Sequence, residues 1–106
     1  MKAVRYNNGP LPEHLSSAAY ITSSGQEFAL PPKEALEYLR WCRTNGFQVL
    51  GYDTWKPTVP GPTALIGPDC EGDADTCEAA IQSSVREYGS DFVYNIWIAE
   101  KSVNDC

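Results

Sequence analysis

Few residues of this chain can do chemistry, and their spacing limits what that chemistry is. His14 is the sole histidine, between Pro12-Glu13 and Leu15, in a stretch that reads as loop. It becomes a general base only if folding brings a distant nucleophile to it. No Gly-x-Ser-x-Gly elbow, phosphate-binding glycine loop or dinucleotide fingerprint occurs, and no cofactor motif is legible. The four cysteines, Cys42, Cys70, Cys77 and Cys106, contain no Cys-x-x-Cys pair. A zinc site normally supplies closer ligand pairs, so no metal is expected. The simpler reading is reduced thiols, with Cys42 and Cys77 packed as small apolar side chains. A Cys70–Cys77 clip stays open, and it matters only in an oxidising compartment.

The strongest asymmetry is acidic. Asp69, Glu71, Asp73, Asp75 and Glu78 fall within ten residues with no base among them. From residue 69 to residue 91 there are seven acids and one base, Arg86, so the net charge of −6 is concentrated there. Like charges this close repel. Part of the run is explained by a helix start, where carboxylates meet the positive end of the helix dipole, and charge runs are ordinarily solvated faces. A calcium loop is disfavoured. Asp69-x-Glu71-x-Asp73 begins with suitable spacing, but Ala74 stands at the turn-glycine position and Ala80 at the closing glutamate. The remaining reading is a negative docking surface for a basic partner. The stretch Gly51-Tyr52-Asp53-Thr54-Trp55 adds to it, because aromatics with a nearby carboxylate at a strand end resemble an interface hot spot. Either aromatic alone is explained as simply by closing the core.

These groups must be positioned by a small domain. With 106 residues and 42% apolar content the chain makes one domain, 1–106, with a modest core. Fourteen acids against eight bases disfavour a nucleic-acid reader. No apolar run approaches a membrane span, and Met1–Tyr6 lacks a signal core, so a cytoplasmic location is expected.

The pattern predicts a strand over 2–6 stopped by Asn7-Asn8-Gly9-Pro10, then a hairpin of 18–22 and 27–30 around Ser24-Gly25. A helix over 33–44 opens after Pro31-Pro32, with Ala35, Leu36, Tyr38, Leu39 and Cys42 as its apolar stripe, and Asn45-Gly46 stops it. Trp41 falls off that stripe, facing a partner or lying under a loop. A strand over 47–55 places Val49, Gly51, Asp53 and Trp55 on one face. The proline-bracketed run Thr63–Ile66 reads as an edge strand or loop. In a second helix Asp75 is the expected N-cap with Glu78 three residues on. Its apolar face is Cys77, Ala80, Ile81, Ser84, Val85 and Tyr88, and Gly89 ends it. A last strand over 92–100 carries bulk on both faces and reads as central. The expected fold is α+β: a mixed sheet of four to six strands with two helices mainly on one face, the helices suited to right-handed crossovers.

The acidic cluster 69–78, the Gly51–Trp55 stretch and the missing catalytic motifs make the chain resemble the small acidic immunity proteins of bacterial toxin systems. The resemblance is one of overall character. It implies a non-catalytic cytoplasmic protein that blocks a cognate toxin domain by occlusion, carboxylates taking the phosphate positions of a cationic groove. Asp53, Asp69, Glu71 and Asp73 would be the anionic contacts, with Trp55 and Trp41 as aromatic anchors. The competing classes are a homodimeric regulatory module and, behind it, a small enzyme using His14.

Overall fold

The computed structural model describes residues 3–56 and 69–99. The proline-rich stretch 57–62, the run Thr63–Ile66 and Cys106 lie outside the described residues. The class is α+β. Strand β1 (Ala3–Tyr6) pairs with β2 (Gly9–Pro12), and a 3-10 turn (Glu13–Ala18) follows. Strand β3 (Tyr20–Ile21) pairs with β4 (Phe28–Ala29), the hairpin read from Ser24-Gly25. Helix α1 (Pro32–Thr44) leads to β5 (Gln48–Trp55). Then come β6 (Cys70–Glu71), helix α2 (Ala74–Tyr88) and β7 (Val93–Ala99).

The main sheet has the order β6-β5-β7, and the bridge Leu30–Tyr94 sets the end of β4 beside β7. Strand β7 therefore has neighbours on both sides, as its two bulky faces require. Every strand pairing among the described residues is antiparallel. This corrects the expectation of a mixed sheet with parallel crossovers: each helix connects strands that are not parallel neighbours. The stop read at Asn7–Pro10 does end β1 at Tyr6, but it is a hairpin turn whose return strand was not expected. The chain reverses there, with Tyr6 opposite Gly9, and β2 continues through Pro10 and Pro12. Proline fits because β2 pairs only with β1, leaving its other side without a ladder.

Both helices lie against the inner face of the main sheet. Ala35, Tyr38, Leu39 and Cys42 of α1 and Cys77 and Ile81 of α2 meet Val49, Tyr52, Tyr94, Ile96 and Ile98. Tyr88 departs from the expected apolar face of α2 and is half-exposed, edge-on to Phe92. Trp41 is half-buried and stacks between Tyr38 and Phe47, with ring centroids 5.8 and 5.3 Å away.

The start of α2 lies earlier than expected. Asp73, not Asp75, is the N-cap, its Oδ1 accepting from the Thr76 backbone N–H at 2.9 Å. That bond holds the Asp73 carboxyl below the usual range. Asp75 instead pairs with Arg43 at 2.6 Å, and Glu78 does so at 3.3 Å. The pairs join the carboxyl end of α1 to the amino end of α2, where both charges suit the local dipole. The geometry is exposed, so each pair stabilises little.

Candidate binding groove

The groove arises from one irregularity in β5. The pairs Val49–Ile98, Tyr52–Ile96 and Thr54–Tyr94 lie on the core face. Gly51–Trp97, Asp53–Asn95 and Trp55–Val93 lie on the opposite face. Val49 and Gly51 would share a face in a regular strand, but the register shifts between them. The extra residue, Leu50, is pushed out to solvent at 46% exposure. The expected Val49-Gly51-Asp53-Trp55 face is thus broken at Val49, whereas Gly51, Asp53 and Trp55 stay together.

Gly51 also allows the sheet to extend on this side. Its φ is 152°, and a Cβ there would run into the Cys70 carbonyl oxygen. With only hydrogen at that position, β6 closes on β5 and the Gly72 N–H donates to the Leu50 carbonyl at 2.9 Å. An open groove of about 470 Å³ results, lined by Leu50, Gly51, Tyr52, Asp53, Asp69, Cys70, Glu71 and Trp97.

Three carboxylates stand around this groove, and no basic residue is among the described lining. Asp53 Oδ2 accepts from the Trp97 indole N–H at 3.3 Å. Asp69 Oδ1 accepts from the Thr54 backbone N–H at 3.2 Å. Both donors are neutral, so they orient the carboxylates without cancelling their charge. Glu71 is exposed at the rim. Tyr52 forms part of the wall, and burial keeps its phenol protonated well beyond its ordinary range. Carboxylates beside an indole and an exposed leucine suit a cationic, partly apolar side chain, with charge-assisted hydrogen bonds to its head and cation–π contact along the ring.

Of the six residues singled out from sequence, Asp53, Asp69 and Glu71 line this groove. Asp73 stands apart as the α2 cap, so the acidic run divides between groove and helix start. Trp55 is half-buried on the groove face of β5, two residues beyond Asp53, outside the lining. Trp41 belongs to the α1 stack. His14 is exposed on the 3-10 turn, also outside the lining. Sequence reasoning missed Trp97. Its signal was present, because alternation in the last strand sets Trp97 opposite Tyr94, Ile96 and Ile98, off the core stripe.

No group of three or more metal-ligating side chains occurs among the described residues, and no described helix is long and apolar enough to cross a membrane. Compared with protein-family models, with curated proteins and with solved structures, the chain matches none.

Proposed function

We propose that this chain is a non-catalytic binding protein of the immunity type, which docks onto a basic protein surface and occludes it. A cognate toxin domain with a cationic groove is the partner this reading favours. The observation that carries it is the meeting of Asp53, Asp69 and Glu71 with Trp97 around one open groove whose described lining holds no cation. Lysine or arginine side chains of the partner would enter between the carboxylates, and Leu50 would supply apolar contact at the rim. Such complementarity acts first on the association rate.

The test begins with capture of the partner by the immobilised chain from its source cell, followed by kinetics on the identified protein. The triple variant Asp53→Asn, Asp69→Asn, Glu71→Gln is expected to slow association about tenfold or more, and added salt to slow the unmodified pair steeply. Asp91→Asn, outside the lining, serves as control. Equal association by the triple variant would sink the proposal. A second reading, homodimerisation, has one observation in its favour: Val4 of β1 and Tyr20 and Ile21 of β3 face solvent. A sedimentation coefficient that rises with concentration, without any partner, would favour it.

A further inference from the structure

Cys70 and Cys77 are seven residues apart in sequence, and their side chains are neighbours behind the groove wall that Cys70 lines. Cys70 lines the groove, is half-exposed, and packs against the core from outside. Cys77 lies behind it in the first turns of α2, wholly buried, with its Sγ 3.5 Å from the Gly72 carbonyl oxygen. Strand β6 touches α2 at this place. The two thiols also converge on Tyr52, which is Cys70's partner in register, and both oppose ionisation of its phenol. Cys42, by contrast, lies in α1 with the Tyr38 hydroxyl beside it.

We propose that Cys70 and Cys77 are a peroxide-reactive dithiol that closes to an intramolecular disulfide, pinning β6 to α2. The exposures fix the order of steps. Cys70 is the thiol that solvent reaches, and its thiolate attacks one oxygen of hydrogen peroxide, expelling hydroxide and leaving a sulfenic acid. Cys77 sulfur then attacks the Cys70 sulfur. The S–S bond forms, the S–O bond breaks, and the departing hydroxide takes the Cys77 proton to leave as water. In total, two thiols lose two hydrogens and one peroxide becomes two waters. Burial, and the thiol of Cys70 next to it, push Cys77 up to about 12. Cys77 is therefore the resolving partner and not the first nucleophile. This proposal is independent of the binding reading, because it needs only the two thiols and an oxidant of the peroxide class.

The chain lends itself to a direct test. Trypsin does not cut before proline, so Lys56-Pro57 survives and Cys70 and Cys77 share the fragment 44–86 with no other cysteine. The folded, full chain is treated with hydrogen peroxide, denatured, alkylated and digested. The expected fragment is lighter by the mass of two hydrogens and carries no alkyl group, and the disulfide form melts about 5 °C higher. In Cys77→Ser, a dimedone adduct should appear on Cys70. Two alkylated thiols after treatment, over-oxidised Cys70 beside alkylated Cys77, or a bond from either cysteine to another would each overturn the proposal.

Discussion

Asn8 shows how much one side chain can carry. It is wholly buried at the tip of the β1–β2 hairpin, and its side-chain amide sits between β4 and β7. Its Nδ2 donates to the Ile96 carbonyl at 2.9 Å and to the Phe28 carbonyl at 3.2 Å, while its Oδ1 accepts the Phe28 N–H at 3.2 Å. The side chain thus stands where a backbone ladder would continue past the Leu30–Tyr94 bridge. Asn95 is also buried and donates to the same Phe28 carbonyl at 2.8 Å, but its Oδ1 has no hydrogen-bond partner among the described residues. The two residues should therefore respond differently to truncation. Asn8→Ala strands a buried N–H and a buried carbonyl, costing about 3 kcal/mol, whereas Asn95→Ala leaves the Phe28 carbonyl its Asn8 donor and costs about 1 kcal/mol. Urea unfolding midpoints measure both, and equal losses would refute the assigned role of Asn8. Nothing in the local sequence distinguishes Asn8 from an exposed turn residue, since its partners are 20 and 88 residues away.

Among the elements, the bulge in β5 decides what the groove contains. Replacing Gly51 by alanine would push the Cys70 carbonyl away and loosen β6, with a cost of about 2 kcal/mol or more. The expected signature is a lower melting temperature together with faster hydrogen exchange at the Gly72 amide; unchanged exchange would mean that β6 does not depend on Gly51. Both helices and the long strands were legible because their apolar periods of 3.6 and 2 extend over enough residues to be seen, and the β3–β4 hairpin because Ser24-Gly25 marks its turn. The β1–β2 reversal was hidden by prolines that read as a stop. The cap on α2 moved from Asp75 to Asp73 because both side chains can cap: Asp73 takes the Thr76 N–H, while Asp75 pairs with Arg43, 32 residues away. The groove was half legible. The carboxylates announced themselves by density, but their division into groove and helix start depends on where β6 meets β5, a contact between segments far apart in sequence.

For the whole molecule, the buried thiols predict its alkaline limit. Burial raises Cys42 from 9.0 to about 12, and Cys77 shifts in the same direction. A group whose folded pKa lies above its unfolded value stabilises fully below the unfolded pKa and loses that contribution as pH rises through the folded one. Stability should therefore hold up to about pH 9 and fall between about pH 9 and about pH 12. Denaturant titrations across that interval would show the slope, and Cys42→Ala should lessen it, leaving the share of Cys77 and of the phenols of Tyr38, Tyr52 and Tyr94, which burial raises as well; an unchanged slope would place Cys42 outside this linkage.

The position of β7 has a consequence for how the chain is made. It is the last of the described strands, yet it joins β5 to β4 and receives the Asn8 amide. A nascent chain that has emerged only as far as α2 holds both helices and every other described strand but lacks the one that unites them. Consolidation must wait for β7 to leave the ribosome, so the strand that unites the described elements is delivered after the pieces it joins.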